Sequence, residues 1–337
     1  MIINRLALFF ITLCLEGYSA SAWTQDLPER PLLRAAQEYF DKLTSGKYQE
    51  LERDLQKLKA EGTIISDGQP ALAAFYMGVS TCRASDCDRG PGQLRLYKAL
   101  SEWKAAYPKS IIAQLANAMY FENAGWRIRG SAYADKVPPS AWPMFRNHIQ
   151  TAREMLEAIG PGGKSEPGWY QTMLGIGQAQ GWSHEEMFAI FSEGSKRFPL
   201  YFPIYFGMAS YLSPKWYGSI KAQRQFIEAA TETTQARLGE TLYARINWAT
   251  KRDEMFEDGQ ADWNRMRAGF ERLIADYPDP WNINSYGFFA CMALDWKTLA
   301  SLQGRILAKP IKIAWGAWDP YFDECMQLAA KGGPVSK

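Results

Sequence analysis

Tyr107-Pro108, Phe198-Pro199 and Tyr277-Pro278 mark three points at which one amphipathic helical stretch ends and another begins. Each pair closes a similar four-residue segment: AAYP (105–108), KRFP (196–199) and ADYP (275–278). Proline lacks a backbone N–H and disfavours the α conformation at the residue before it, so each pair ends one helix and lets the next begin. This recurring pattern predicts a protein built from stacked helix pairs.

Almost every segment of the chain has a hydrophobic period near 3.6 residues, and no run alternates as a strand does. Short linkers with Gly, Pro, Asp or Ser separate the helical stretches, which favours antiparallel neighbours. The fold class is therefore predicted to be all-α. The predicted helices cover residues 31–44, 47–60, 70–79, 93–106, 110–127, 140–158, 166–180, 184–196, 202–211, 219–237, 240–250, 261–276, 283–293, 296–307 and 319–330.

The spacing of the aromatic-Pro pairs suggests irregular repeats. The interval from Tyr107 to Phe198 and the interval from Phe198 to Tyr277 are each more than twice as long as one tetratricopeptide (TPR) repeat. Each interval therefore holds more than one helix pair. We predict a TPR-like α-solenoid of irregular antiparallel helix pairs, and residues 23–337 form a single domain because no linker is long enough to divide them.

Residues 1–22 have the organisation of a secretory signal peptide. One positive charge at Arg5 precedes an apolar stretch over 6–15, and the small residues of 19–22 supply a cleavage pattern. The alternative is a buried N-terminal helix. No other apolar run has membrane-spanning length, so we predict an exported chain, periplasmic or secreted, with no membrane span after cleavage.

Export changes how the cysteines are interpreted. Cys82, Cys87, Cys291 and Cys325 remain after cleavage, and an even number in an oxidising compartment favours disulfides. Cys82 and Cys87 bracket a short polar loop, which leaves Cys291 to pair with Cys325. The alternative is four free thiols. A zinc site is not predicted, because close C-x-x-C pairs are absent and neither histidine is near a cysteine in sequence.

Charge and motifs exclude several function classes. The formal charge is +2 with mixed signs along the chain, and no Lys/Arg run marks a nucleic-acid or lipid surface. The segment GPGGKS (160–165) lacks the first glycine of a phosphate loop and is predicted to end a helix. Ser183 and Glu186 have the spacing of a helix capping box. No nucleophile elbow is present, so no catalytic residue and no cofactor are predicted.

Two segments are candidates for a partner-binding surface. Each combines aromatic residues, a cation and small residues at the predicted end of a helix, as binding surfaces often do. The alternative interpretation is that the tryptophans wedge between repeats while the arginines bind helix-end carbonyls. The candidate residues are Trp126, Arg129, Tyr133, Trp216 and Tyr217.

Several segments between about residues 100 and 300 together resemble an uncharacterised bacterial family built on a domain of unknown function. These are the pair Trp169-Tyr170 and the segments WRIRGSAYA (126–134), GWSHEE (181–186), RFPLYFP (197–203), YLSPKWYGS (211–219) and YPDPWN (277–282). The resemblance implies an α-helical repeat fold in exported or envelope proteins. It implies no activity and no catalytic residues, and it is weaker over residues 23–95.

The sequence thus favours a non-catalytic protein that binds another protein or a peptide in the cell envelope, by analogy with other helical arrays. One alternative is a cell-wall or glycan-acting enzyme on a helical solenoid. Another is a periplasmic immunity or accessory factor. An enzyme is expected to show a desolvated carboxylate of raised pKa in a cleft, whereas a binding scaffold is expected to show a groove lined by aromatic residues and arginine.

Overall fold

The computed structural model of the protein describes residues 30–83, 87, 90–316 and 319–333. Within these residues it contains fifteen α-helices and no β-strand, only an isolated bridge between Ile64 and Pro70. The all-α prediction is confirmed. The predicted signal peptide over 1–22 lies outside the described residues.

The helix boundaries match the predicted ones to within three residues. They are α1 Pro31–Thr44, α2 Tyr48–Glu61, α3 Ala71–Ser80, α4 Pro91–Ala106, α5 Ile111–Arg129, α6 Ala141–Ile159, α7 Pro167–Gln180, α8 His184–Arg197, α9 Phe202–Tyr211, α10 Ile220–Leu238, α11 Thr241–Ala249, α12 Trp263–Asp276, α13 Pro280–Met292, α14 Trp296–Ala308 and α15 Asp319–Ala330.

Two kinds of helix alternate along the chain. Helices α6, α8, α12 and α14 bury one stripe of residues and expose the opposite face. Helices α3, α9, α11 and α13 are buried on nearly every face, and α13 buries residues 281–291 without interruption. From α3 to α11, each odd-numbered helix packs against the next odd-numbered one. The odd-numbered helices from α3 to α13 therefore form an inner layer, and the even-numbered helices from α4 onward cover it.

The aromatic-Pro pairs form three equivalent turns. Tyr107, Phe198 and Tyr277 have nearly the same backbone angles, with φ of −129°, −131° and −136° and ψ of 65°, 63° and 79°. Each one ends an outer helix, and the chain then enters an inner helix. The two intervening helix pairs turn instead at Gly160 and Gly239, which have φ of 69° and 52°. This alternation of turn types explains why the aromatic-Pro pairs are separated by two helix pairs rather than one.

Local capping also follows the sequence prediction. The backbone N–H of Glu186 donates to Ser183 Oγ (3.3 Å), and the N–H of Ser183 donates to Glu186 Oε2 (2.8 Å), so the capping box is present. Gly160 ends α6, and residues 160–165 form a short 3₁₀ turn before α7, as expected for a helix-terminating segment.

The loop between α2 and α3 returns to a part of the chain that is distant in sequence. Ser66 Oγ donates to Asp279 Oδ2 (2.6 Å), and the backbone oxygen of Asp67 accepts from Arg245 (2.6 Å) and Asn282 (3.2 Å). The early helices are thereby joined to α11 and α13. The helix pairs are as predicted, but these contacts do not confirm an open, TPR-like solenoid.

Both predicted disulfides are present. Cys82 and Cys87 are bonded with a Cα–Cα distance of 5.8 Å, and Cys291 and Cys325 with 5.9 Å. The second bond joins α13 to α15, and both of its cysteines are buried. Among the described residues, no helix is long and apolar enough to cross a membrane. The same residues contain no group of three or more His, Cys, Asp or Glu side chains placed to hold a metal ion.

Candidate functional site

The first candidate segment lies where α5 ends. Glu122, Trp126 and Arg129 are spaced four and three residues apart, so they lie on one face of the helix. Gly130 follows with φ of 72° and turns the chain out of the helix. The guanidinium of Arg129 bends back and donates to the backbone oxygens of Gly130 (2.9 Å) and Ala132 (2.7 Å). Arg129 thus holds the loop that carries Tyr133.

The second candidate segment is the turn between α9 and α10. The N–H of Trp216 donates to Ser213 O (3.0 Å), and the N–H of Tyr217 donates to Tyr211 O (3.1 Å). A Cβ at Gly218 would overlap the backbone carbonyl of Leu212, so the turn requires glycine there. These constraints fix the directions in which the Trp216 and Tyr217 side chains leave the backbone.

The two segments meet, although they lie far apart in sequence. The rings of Trp126 and Trp216 pack edge to face, with centroids 5.3 Å apart and an interplanar angle of 87°. The Arg129 guanidinium lies 4.6 Å from the Trp216 ring centroid and 5.8 Å from that of Trp142 on α6. Such ring pairs and cation–π contacts are individually modest but strengthen when water is excluded.

A more exposed layer lies over these contacts. The Lys215 ammonium is 5.3 Å from the Tyr133 ring centroid and also donates to the backbone oxygen of Ser131. Tyr133 is 64% exposed, and Tyr217, whose ring centroid is 6.4 Å from that of Trp216, is 43% exposed. We call these seven residues the aromatic cluster: Trp126, Arg129, Tyr133, Trp142, Lys215, Trp216 and Tyr217.

The aromatic cluster contains cations but no paired anion among the described residues. Neither Arg129 nor Lys215 forms an ion pair with a carboxylate there. Burial lowers the pKa of the Arg129 guanidinium, and burial together with the nearby Arg129 lowers the pKa of the Lys215 ammonium. Arg129 in the base and Lys215 in the exposed layer, neither paired with any carboxylate that the structure describes, make this surface one that attracts an acidic group.

The structure thus brings the five predicted residues into one place but gives them different roles. Arg129 is only 5% exposed and binds the carbonyls that follow α5. Arg129 is therefore not an exposed contact residue. Its bonds to these two carbonyl oxygens agree with the alternative interpretation, in which the arginines bind carbonyls at a helix end. Trp126 and Trp216 are half-buried, and only Tyr133 and Tyr217 are exposed.

Sequence reasoning missed two members of the aromatic cluster. Lys215 directly precedes Trp216, and its charge beside an aromatic residue was a usable signal. Trp142 gave no such signal, because it begins α6 and reaches Arg129 only through the packing of α6 on α5.

Sequence reasoning also missed Glu122, which lies one helical turn before Trp126. The side chain is half-buried, but protein surrounds its carboxyl group, and this burial raises the pKa to about 8 while contact with Trp126 lowers it. Among the described residues it has no ion-pair partner. A Cβ at Gly175 would overlap a carboxyl oxygen of Glu122, so α7 approaches it closely.

Two surface cavities are lined by neither Glu122 nor a member of the aromatic cluster, although His184, which lines the first, has its Nε2 2.9 Å from the backbone oxygen of Tyr217. One, of about 770 Å³, runs between α8 and α10 and is lined by Phe188, Phe191 and Phe226. The other, of about 360 Å³, lies between the α2–α3 loop and helices α10 to α12.

Comparison with known proteins gives one match. A family model described as a domain of unknown function (DUF4034) matches residues 37–156, about a third of the chain. The match includes Trp126, Arg129 and Tyr133 but not the turn that carries Trp216. It confirms a resemblance to a domain of unknown function, although the matched region begins well before the expected residue 100 and ends well before 300. No curated protein and no solved structure matches the chain.

Proposed function

We propose that this protein is an exported, non-catalytic helical-repeat protein that binds a protein or peptide partner in the cell envelope through the aromatic cluster. One observation carries the proposal: two distant segments meet so that exposed Tyr133 and Tyr217 lie over a cationic and tryptophan-rich base. Interface hot spots are enriched in tyrosine, tryptophan and arginine.

The members of the aromatic cluster have different roles in binding. Tyr133 and Tyr217 offer large, stiff contact surfaces, and Lys215 supplies a charge at the surface. Arg129 and the tryptophans beneath hold these groups in position before a partner arrives, which lowers the entropic cost of association. A partner segment with an acidic side chain next to an apolar one matches this chemistry.

Two observations support export. Disulfides persist in oxidising compartments such as the periplasm, and this chain contains two of them. The sequence of residues 1–22 has the order of a secretory signal. Mass spectrometry of the native protein should find Trp23 as the first residue. An intact Met1 in a cytoplasmic fraction would contradict export without affecting the binding proposal.

The binding proposal is tested with photoreactive amino acids and purified variants. A photo-crosslinker at position 133 or 217 should capture one and the same partner in the envelope, and a crosslinker at position 97 should not. Tyr97 is a matched control, because it is 42% exposed on α4 and lies outside the aromatic cluster.

Affinity for the captured partner then gives the decisive measurement. Tyr133→Ala and Tyr217→Ala should each weaken binding by about tenfold or more, as hot-spot residues do, with an unchanged melting temperature. Tyr97→Ala should bind as the wild type does. Equal affinities for all three variants would overturn the proposal.

Glu122 is the residue that bears on a second candidate function, the glycan-acting enzyme. Burial raises the pKa of its carboxyl group to about 8, as a glycosidic general acid requires, but neither of the two cavities reaches it, whereas such an acid lies in a cleft. If Glu122 acts as such an acid, the wild-type protein should cleave envelope glycan, and Glu122→Gln should abolish cleavage without lowering the melting temperature. A wild-type protein that leaves such glycans intact removes this candidate and leaves the binding proposal standing.

A further inference from the structure

The cavity between the α2–α3 loop and helices α10 to α12 has an unusual charge distribution. Three arginines line it, Arg237, Arg245 and Arg272, but only one carboxylate, Asp276. Asp276 is bound to Arg272, with a 2.6 Å contact between its Oδ2 and Arg272 Nε. The other two guanidinium groups have no carboxylate partner among the described residues, so the cavity carries an excess of positive charge.

Arg245 is the arginine of this cavity whose side chain is buried and held in place. It lies on α11 and is only 4% exposed. Its Nη2 donates to the backbone oxygen of Asp67 (2.6 Å), whereas its buried Nε has no acceptor. Burial lowers the pKa of the guanidinium to about 10, so it still carries its charge at neutral pH. The nearby Asp67 favours this charge but does not hydrogen-bond to the guanidinium through its carboxylate, and an incoming anion that does so would offset more of the cost of burying the cation.

The neighbouring acid, Asp67, does not supply that anion. Its carboxyl oxygens accept from the backbone N–H (2.9 Å) and the side-chain amide (3.1 Å) of Gln69, rather than from Arg245. Burial raises the pKa of this carboxyl group, whereas the nearby charge of Arg245 lowers it, so the two charged groups interact through space but form no hydrogen bond with each other. Within the described part of the chain, the Arg245 guanidinium is therefore bound by no carboxylate, and its Nε lacks an acceptor.

The remaining lining is mainly apolar. The side chains of Ile64, Leu200, Phe202, Leu238, Leu273 and Tyr277 line the cavity beside the arginines. Ligand sites in proteins generally combine such apolar walls with a few well-placed polar groups. A volume of about 360 Å³ holds on the order of ten non-hydrogen atoms, at roughly 30 Å³ for each water-sized unit.

We infer that this cavity binds a small organic acid whose carboxylate lies between Arg245 and Arg237 and whose apolar body contacts the hydrophobic wall. The planar fork of a guanidinium matches a carboxylate in shape as well as in charge. The site is separate from the aromatic cluster and goes beyond the proposed function. If the cavity binds no organic acid, the proposal of partner binding by the aromatic cluster is unaffected. If the aromatic cluster binds no partner, the cavity proposal is likewise unaffected.

The test uses octanoate as the probe, because its ten non-hydrogen atoms fit the volume. Titration calorimetry on the full chain should give a Kd below about 1 mM for octanoate, within the efficiency that small ligands reach. 1-Octanol and octylammonium, which share the apolar body, should bind at least tenfold more weakly. Inorganic phosphate tests for a site that recognises charge alone and should not compete with octanoate.

Variants then assign the binding to this cavity. Arg237→Gln changes an exposed arginine and should weaken octanoate binding about fivefold or more, with the melting temperature unchanged. Arg146→Gln on α6 is the matched control and should bind octanoate normally. Since Arg245 also anchors the α2–α3 loop, Arg245→Lys is assessed by the rise in melting temperature that octanoate produces, which should disappear. Octanoate binding that is absent, equalled by octanol, or unaffected by Arg237→Gln would overturn the inference.

Discussion

At the scale of single residues, Arg129 shows why a side chain in a binding segment is not always a contact residue. Its guanidinium satisfies the two carbonyls after α5 and lies within 6.0 Å of three tryptophan ring centroids. Arg129→Ala should therefore lower the free energy of unfolding by about 2–4 kcal/mol, through lost charged hydrogen bonds and cation–π contacts.

Tyr133 provides the comparison for Arg129. Because it is exposed, Tyr133→Ala should change the free energy of unfolding by no more than about 0.5 kcal/mol. Urea unfolding followed by tryptophan fluorescence measures both variants. If both variants change stability equally little, Arg129 does not hold the loop that follows α5.

Glu122 makes a pH-dependent contribution to stability whose sign follows from its pKa. The folded state raises this pKa from 4.5 to about 8, so folding favours the protonated carboxyl group. The stability that comes from this preference is fully present below the unfolded-state pKa of 4.5. It is lost as the pH rises through the folded-state pKa of about 8. In the wild type, the free energy of unfolding should therefore fall with pH between pH 5 and pH 8. Glu122→Gln should reduce that slope by at most about 1.4 kcal/mol per pH unit. Glu154→Gln, an exposed change on α6, should leave the wild-type slope in place.

At the scale of helices, most of what the sequence predicted depends on neighbouring residues alone. Helix ends, the Ser183–Glu186 capping box and the aromatic-Pro turns follow from local patterns, and the structure contains them all. The stacking of Trp142 on Arg129 and the desolvation of Glu122 depend on which helices pack together. No local pattern encodes that packing, so these parts of the candidate site could not be predicted.

The contacts that Glu166 makes between helices can be tested with a matched pair of variants. Glu166, at the start of α7, accepts from Lys59 Nζ on α2 (2.6 Å) and from the Tyr76 hydroxyl on α3 (2.7 Å), and it is buried. Glu193 has the same kinds of partner, Lys164 (2.7 Å) and the hydroxyl of Tyr170 (2.9 Å), but lies near the surface.

These two glutamates should differ in their effect on stability. Glu166→Ala leaves a buried hydroxyl and a partly buried ammonium unpaired, so it should cost about 3 kcal/mol of unfolding free energy. Glu193→Ala should cost no more than about 1 kcal/mol, as solvent-screened pairs do. Chemical denaturation measures both costs. Equal costs would mean that Glu166 does not join α2 and α3 to α7 as its contacts indicate.

At the scale of the whole molecule, the α2–α3 loop contacts α11 and α13, which lie about 180 to 215 residues further along the chain. In an open array each repeat contacts only its neighbours, and a change in one repeat is felt locally. Here Asn282, fully buried on α13, donates to the backbone oxygens of Asp67 (3.2 Å) and Tyr277 (3.0 Å). Nothing in residues 63–70 or 277–283 predicted this contact, because it joins segments that are far apart in the sequence.

Asn282→Ala tests whether this contact couples the α2–α3 loop to α13. The change leaves two buried carbonyls without one of their donors, so we expect a loss of about 1–3 kcal/mol in unfolding free energy. Hydrogen exchange should then speed up in residues 63–70 as well as around 277–289, because both segments depend on the same amide. Faster exchange around 277–289 alone would show that the helix pairs respond independently, as they would in an open solenoid.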